Sequence, residues 1–165
     1  MVPRREGDGI FRVGFHNIRG KSFTGGLEAP YEIDAMDELG INMHGFGETN
    51  KPWTPGNRWR YNHLMATRFK GSRTFYSSAP ASYDCTYQPG GTVLTVNGHC
   101  TGRIVESGED DMGRFCWVNL REKREEGVCA LFGYRCCSNL GPYTAHTTQY
   151  TAPRATGVKN RNPRK

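Results

Sequence analysis

Two polar residues in the first third of the chain have the types needed to hold a metal ion. Asn17 ends an apolar run in the string FRVGFHNIRG, and Glu48 ends a second apolar run in the string INMHGFGETN. A carboxylate is a natural hard ligand for Mg²⁺, and Gly45 and Gly47 permit close backbone approach beside it. Each residue alone has a simpler explanation, since asparagine often caps turns and glutamate is common in exposed loops. The pair predicts a metal site where both side chains reach one edge of a sheet.

The residues between Asn17 and Glu48 predict a strand, a helix and a second strand. Residues 10–18 and 41–46 are apolar runs typical of strands, whereas 31–39 places apolar residues on one side and acids on the other, as in a helix. Gly40, directly after this helix, is a typical helix terminator. Parallel strands joined by a helix end at the same sheet edge, so this unit would bring Asn17 and Glu48 together.

The remainder of the chain is predicted to be rich in strands. A second helix is expected at 58–69, and strands are expected at 74–78, 91–97, 102–106, 114–121 and 128–135, with glycines in the intervening turns. The predicted fold class is α/β (α+β), with a mixed sheet, helices early in the chain and antiparallel strands later.

Composition predicts one soluble domain with a polyanionic partner. The chain has 165 residues, of which 36% are hydrophobic, and no apolar run approaches the roughly 20 residues of a membrane span. The charged start has no apolar region behind it, so the expected location is intracellular. The net charge of +6 favours nucleic acid or a phosphorylated ligand. Residues 1–9 are predicted to be a disordered leader, 10–152 the domain and 153–165 a basic tail.

The six cysteines are predicted to be reduced thiols, because they form no CxxC pairs and no secretion signal accompanies them; they are Cys85, Cys100, Cys116, Cys129, Cys136 and Cys137. Cys116 and Cys129 lie in strand-like runs and are expected to pack as small core residues. A zinc site built from Cys136, Cys137 and His146 is disfavoured, because adjacent cysteines rarely fit tetrahedral geometry without strain.

Arginines alternate with aromatic residues around the second predicted helix, at Trp53, Arg58, Trp59, Arg60 and Tyr61. This pattern is compatible with an RNA-binding module or with tryptophans that line a substrate groove. A simpler interpretation is an amphipathic helix with its aromatic side chains turned inward and its arginines turned outward.

Five strings occur in an order that resembles the endonuclease/exonuclease/phosphatase superfamily. They are FHNIRG, GFGETN, YQPGGTVLTVNG, DDMGRF and a strand ending in GYRCC. The spelling of GETN, YQPGGT and GYR, followed by GPYTA and a glutamine, is most similar to retroelement endonucleases. The resemblance implies a DNase-I-like two-sheet β-sandwich flanked by helices. It also implies metal-dependent hydrolysis of a phosphodiester, with Mg²⁺ as the cofactor and Mn²⁺ as a substitute.

The resemblance assigns roles to four residues of this chain. Glu48 would bind the divalent metal, and Asn17 would help to orient the attacking water or the catalytic carboxylate. Tyr134 would donate a hydrogen bond from its hydroxyl to charge that develops on the phosphate. Arg114 would clamp phosphate oxygens, and a salt bridge from Arg114 to Asp110 or Asp111 is the alternative.

The chain departs from the family pattern in three places. Some relatives carry an acidic or amide residue where Arg19 stands. After Tyr134 the sequence contains no aspartate, and its only later histidine is His146. It therefore lacks the family's Asp-x-Asn, which supplies the water-activating carboxylate. It also lacks the final Ser-Asp-His. The chain is therefore expected to be the N-terminal part of a domain, inactive alone, with an exposed apolar face and poor solubility. Gly90 and Gly91 resemble the family's Gly-Gly strand entry and are expected to serve the backbone only.

Three functions remain open at this point. The leading one is the N-terminal part of a metal-dependent endonuclease whose complete form cleaves DNA, with the nucleus as its site if it acts on genomic DNA. The second is a catalytically dead remnant that binds nucleic acid, and the third is a phosphatase of a small phosphorylated molecule or lipid. DNA is the expected partner, and neither a membrane nor an obligate protein partner is predicted.

Overall fold

The computed structural model describes residues 10–20, 28–79, 90–121 and 127–134. These residues form two sheets flanked by helices, so the predicted α/β (α+β) two-sheet fold is confirmed. In chain order the elements are β1 (Val13–Asn17), α1 (Glu28–Glu38), β2 (Met43–Gly47), α2 (Pro55–Arg68), β3 (Arg73–Ser77), β4 (Thr92–Val96), a 3-10 helix (Gly98–Arg103), β5 (Ile104–Glu109), β6 (Phe115–Arg121) and β7 (Gly127–Gly133). None of the helices among these residues has the length and apolar character needed to cross a membrane.

Three predictions fall on residues that the structure does not describe. They are the leader at 1–9, the basic tail at 153–165, and the cysteine and histidine positions of the disfavoured zinc site.

The strand, helix and strand predicted for the first third are present. β1 and β2 are parallel neighbours, and α1 connects them. Gly40 ends the helical segment with a φ of 63°, a left-handed conformation that glycine adopts without a steric penalty. The backbone amide of Ile41 closes this turn by donating to the carbonyl of Met36 at 3.0 Å. This hydrogen-bonding pattern is that of a Schellman helix end.

The two sheets pack face to face around an apolar core. Sheet A has the strand order β1-β2-β4-β3 and is antiparallel apart from the β1-β2 pair, whereas sheet B has the order β5-β6-β7 and is antiparallel throughout. β3 and β4 lie over β5 and β6, and β2 lies over β7. The core between the sheets consists of Met43, Phe75, Leu94, Val96, Cys100, Cys116, Val118, Leu120 and Phe132.

The helices cover the other face of sheet A. α2 begins at Pro55, three residues earlier than predicted, because Thr54 caps it with a side-chain oxygen that accepts from the amide of Asn57 at 3.4 Å. The core on this side consists of Ile18, Ile33, Phe46, Trp53, Tyr61, Met65, Phe69, Tyr76 and Val93.

Two expectations about side-chain burial are wrong. Cys116 is buried as predicted, but Cys129 is exposed, because side chains alternate along β7 and Phe132 occupies the inward series. Tyr61 turns inward as predicted, but Trp59 is 67% exposed. Two residues along an α-helix rotate the side chain by roughly 200°, so Trp59 must oppose Tyr61.

One margin of the sandwich exposes apolar side chains. β1 is the outer strand of sheet A, where Val13 is 51% exposed and Phe15 is 48% exposed even though Phe15 stacks on Phe132 at 5.6 Å. Val128 at the start of β7 is also exposed. This apolar margin is compatible with the expected poor solubility, which stays a prediction.

A buried histidine lies in the centre of sheet A. His44 of β2 contacts the hydroxyl of Tyr61 at 3.4 Å through Nε2, and its Nδ1 lies 3.3 Å from the side-chain nitrogen of Asn97. The Tyr61 hydroxyl also contacts Thr95 at 3.4 Å. Because the ring has no water contact and no anionic partner among these groups, burial lowers the pKa of His44 from 6.5 to about 4.

We expect acid to destabilise the fold through His44. The unfolded state binds this proton below a pKa of 6.5, whereas the folded state stays neutral down to about pH 4. The free energy of unfolding should therefore fall between these two pH values as the pH decreases, by about 1.4 kcal/mol per unit from this group. Urea unfolding at a series of pH values measures the slope. An NMR titration of the His44 ring checks, without a substitution, whether this residue causes the pH dependence. A titration midpoint near 6.5 would contradict the prediction.

Candidate functional site

The two sequence-predicted metal-site residues leave the sheet side by side. Asn17 is the last residue of β1 and is paired in register with Gly47, the residue before Glu48. The amide of Ile18 donates to the carbonyl of Gly47 at 3.1 Å, and the amide of Gly20 donates to the carbonyl of Glu48 at 2.7 Å. Parallel pairing thus continues past the ends of both strands and fixes the two segments at one edge of sheet A.

Backbone strain is concentrated at this edge. Among the described residues, Arg19, Glu48 and Asn50 are the non-glycine residues with positive φ, at 48°, 57° and 48°. Left-handed conformations are uncommon for residues with a Cβ and persist only where surrounding contacts enforce them. Such contacts are present here, because backbone hydrogen bonds hold both the Glu48 and Asn50 segments.

Asn17 is exposed and holds its own turn. Its side-chain oxygen accepts from the amide of Arg19 at 3.0 Å, the hydrogen bond of an Asx turn. This contact fixes the side chain while its NH₂ group makes no hydrogen bond within the described part of the chain. Asn17 therefore presents two amide donors at the edge where Glu48 lies.

Tyr134 reaches the same place from sheet B. A methyl group added to Gly47 would lie 3.3 Å from Cβ of Tyr134 and 2.9 Å from Cζ of Phe15. The absence of a side chain at Gly47 thus allows Tyr134 to lie against the strand end between Asn17 and Glu48. The amide of Tyr134 donates to the carbonyl of Arg114 at 2.7 Å, which ties the tyrosine to β6.

A glycine pair supports the Glu48 turn from behind. The amide of Thr49 donates to the carbonyl of Gly91 at 3.2 Å, and the amide of Asn50 donates to the carbonyl of Gly90 at 2.8 Å. Asn50 completes the exchange by accepting from the amide of Gly90 at 3.1 Å. Gly91 has a φ of 88°, and a Cβ there would lie 2.2 Å from Oγ1 of Thr49. The expected backbone role of the Gly-Gly pair is therefore visible in its contacts.

The glycine pair is itself held by Gly113 of the string DDMGRF. The carbonyl of Gly113 accepts from the amide of Gly91 at 2.9 Å and from the hydroxyl of Thr92 at 3.2 Å. Gly113 directly precedes Arg114, which in turn holds Tyr134. Residues from four strings that are far apart in the sequence thus meet at one end of the sandwich: Thr49 and Asn50, the pair Gly90 and Gly91, Gly113 with Arg114, and Tyr134.

Arg114 forms a salt bridge with Asp110, which is the alternative role expected for it from the sequence. Nε of Arg114 donates to Asp110 at 2.5 Å, and Asp110 also accepts from the hydroxyl of Ser77 and the amides of Arg114 and Phe115. Burial alone would raise the pKa of the Asp110 carboxyl, but hydrogen bonds from Ser77, Arg114 and Phe115 outweigh burial and lower that pKa. This ion pair uses Nε, and within the described residues the terminal guanidinium nitrogens make no further hydrogen bond, so the phosphate-binding role of Arg114 stays a prediction.

The donors at this edge fit a hard divalent cation. Within the described residues no cluster of three histidine, cysteine or acidic side chains occurs, which disfavours a zinc-type site there. Mg²⁺ is instead commonly held by one or two carboxylates, with water and substrate phosphate completing its shell. Glu48 is half-exposed, and within the same residues its carboxylate makes no ion pair or hydrogen bond, so it is available to such an ion.

Sequence reasoning missed the residues that support the site. Thr49 and Asn50 belong to the GETN string, but nothing in their types indicated that their backbone amides would bind the glycine pair. The hydroxyl of Thr49 is fully buried and makes no hydrogen bond within the described residues. Asp110 was considered only as a partner for Arg114, yet it also fixes Ser77 at the end of β3. The available signal was the clustering of Gly, Asp and Asn at strand ends.

Comparison with known proteins gives similarities to solved structures only. No protein-family model and no curated protein sequence matches the chain. It is similar to an endonuclease/exonuclease/phosphatase family protein from Leptotrichia buccalis C-1013-b, with 12% identity, a TM-score of 0.49, and coverage of 90% of this chain and 63% of that protein. It is also similar to an AP endonuclease from Leishmania major, with 13% identity, a TM-score of 0.45, and coverage of 75% and 40%.

The chain thus spans less than two thirds of the length of either structure. The first structure bears the name of the superfamily that the five sequence strings resemble. Neither name refers to a retroelement, and that part of the resemblance stays a prediction.

Replacing Gly91 by alanine should destabilise the protein by about 2 to 4 kcal/mol, because the left-handed backbone and the contact with Thr49 both oppose a Cβ. Gly56 in α2 is the matched control. A Cβ there meets nothing within 4 Å, so Gly56→Ala should stabilise the helix by up to about 1 kcal/mol. Urea unfolding of both variants makes the comparison. Equal stability of Gly91→Ala and the unsubstituted protein would show that the turn adapts freely.

Proposed function

We propose that this chain carries the metal-binding part of a Mg²⁺-dependent phosphodiesterase, of retroelement type, whose complete form cleaves DNA. The observation that supports it most directly is the in-register pairing of Asn17 with Gly47, which sets Asn17 beside Glu48 at one sheet edge. Tyr134 packs against Gly47 from the second sheet, which brings a third residue of a type suited to phosphate chemistry to the same end of the sheet.

Each residue has a role that follows from its chemistry. Glu48, whose carboxylate has no ion-pair partner among the described residues, would hold Mg²⁺, which supplies Lewis-acid stabilisation of charge on a phosphoryl oxygen. The amide donors of Asn17, already fixed by the Asx turn, would orient a water molecule or a phosphate oxygen. The Tyr134 phenol would donate a hydrogen bond to charge that develops on the phosphate.

An aspartate general base is the group that this sequence does not supply after Tyr134, since no aspartate follows it. We therefore expect the 165-residue chain to bind a divalent cation without hydrolysing DNA, and a longer form that contains the base to be active. This division allows metal binding and hydrolysis to be tested separately.

Metal binding can be tested on the chain itself. Mn²⁺ should broaden the backbone NMR signals of Asn17, Ile18 and Thr49, because a bound paramagnetic ion relaxes nearby nuclei. Glu48→Gln should abolish the selective broadening while preserving the spectrum elsewhere. Glu106→Gln, which removes an exposed carboxylate from β5, is the matched control and should leave the broadening unchanged. Broadening that persists in Glu48→Gln would remove Glu48 from the metal site.

Hydrolysis is tested on a longer form of the chain that contains an aspartate general base after Tyr134. Mg²⁺-dependent nicking of supercoiled plasmid is expected, with a loss of at least about 100-fold in Glu48→Gln and none in Glu106→Gln. Undiminished nicking by Glu48→Gln contradicts the proposed role of Glu48. Release of inorganic phosphate from an inositol phosphate without nicking would favour the phosphatase, and salt-sensitive DNA binding without cleavage would favour the inactive remnant.

A further inference from the structure

The middle of the chain carries a strong excess of positive charge. Residues 49–105 contain seven lysines and arginines and a single acid, Asp84, whereas the other residues contain fifteen of each sign. The whole net charge of +6 therefore equals the charge of this segment. The segment includes α2, which has no acidic residue in any of its turns, and β3. A field of one sign on one element indicates a polyanionic partner more specifically than net charge does.

A stacked aromatic pair stands on the solvent side of α2. Trp59 is 67% exposed, and its ring lies parallel to that of His63, with centroids 5.4 Å apart and an interplanar angle of 8°. The opposite side of the helix is occupied by buried Tyr61 and Met65, so burial cannot explain the position of the tryptophan. An exposed, pre-stacked indole among cations has the character of a platform for a nucleobase.

Cationic groups flank this platform. Arg60 is the exposed neighbour of Trp59, Lys70 follows the end of α2, and neither makes an ion pair within the described residues. The other nearby arginines are engaged elsewhere, because Asp34 of α1 pairs with Arg68, and the guanidinium of Arg73 lies 5.4 Å from the ring centroid of Phe75, a residue of the core between the two sheets. Among the described residues, Arg60 and Lys70 therefore remain for phosphates along α2.

We propose that this face of α2 binds single-stranded nucleic acid. An unpaired base stacks on the Trp59–His63 pair, and the neighbouring phosphates contact Arg60 and Lys70. A single strand is the occupant because a base paired within a duplex cannot offer its face to a side chain. The surface goes beyond the proposed function, since it requires neither a metal ion nor the candidate catalytic residues.

The location of α2 connects this surface with the candidate site. The helix begins seven residues after Glu48, and the amide of Trp53 donates to the hydroxyl of Ser78 at 3.2 Å. Ser77, the preceding residue, is paired with Thr92, which is paired with Gly47. The first turn of α2 thus lies at the same end of sheet A as Glu48, so a strand on α2 can continue toward that edge.

The test uses the 165-residue chain, a fluorescein-labelled oligothymidylate and EDTA, with binding measured by fluorescence anisotropy. Trp59→Ala should weaken binding roughly 5- to 150-fold, because stacking of a base on an aromatic ring is worth about 1–3 kcal/mol. Tyr31→Ala is the matched control, because Tyr31 is a 72% exposed aromatic residue on α1, beside acids, and its loss should change nothing. Circular dichroism verifies that both variants are folded.

Charge and strandedness are tested in the same assay. Arg60→Gln should reduce the slope of log K against log salt by about 0.7, the value expected for one phosphate contact on a single strand. An oligouridylate should also bind, because stacking does not read the sugar. Unchanged binding by Trp59→Ala, an equal loss in Tyr31→Ala, or a blunt duplex that binds as tightly as the single strand would each overturn the proposal. Because EDTA excludes metal-dependent cleavage, these outcomes are independent of the Glu48 experiments.

Discussion

The candidate site depends on a relay of backbone hydrogen bonds across one end of the sandwich. It joins the turn after β2 to the glycine pair before β4, that pair to the turn before β6, and the start of β6 to the residue after β7. Side chains that act on a phosphate must be held to within about half an ångström. Here main-chain groups, which have few degrees of freedom, hold the segments that carry the candidate side chains, so these side chains need few supporting partners of their own.

The relay imposes a conformational cost that the two cores offset. It requires left-handed backbone at Glu48 and Asn50 and a glycine at position 91, where a Cβ has no room. Strain of this kind costs on the order of 1–3 kcal/mol per residue. The apolar clusters on both faces of sheet A fix β2 and β4 directly below the strained turns, and a turn anchored at both ends cannot relax without disrupting this packing.

Local pattern accounts for what the sequence could predict. Alternating or continuous apolar runs located the strands, and Gly40 located a helix end, because these signals act over a few residues. Cys129 and Trp59 were assigned the wrong environment, since their exposure depends on which side of the strand or the helix faces the core. The 3-10 helix after β4 and the glycine relay were also missed. The relay joins residues up to 85 positions apart, and no local pattern carries that information.

Glu48 stands at a border between two electrostatic environments. It is the last acid before a segment of seven cations and one acid, and it lies at the end of the sheet where α2 begins. A lone carboxylate repels a phosphodiester, so on its own it would oppose the attraction that the basic segment exerts. A divalent cation on Glu48 reverses that local sign, and the edge of the sheet then continues the positive surface of α2. In the proposed function, the charge arrangement that would draw a polyanion to α2 would therefore also require a metal ion at Glu48.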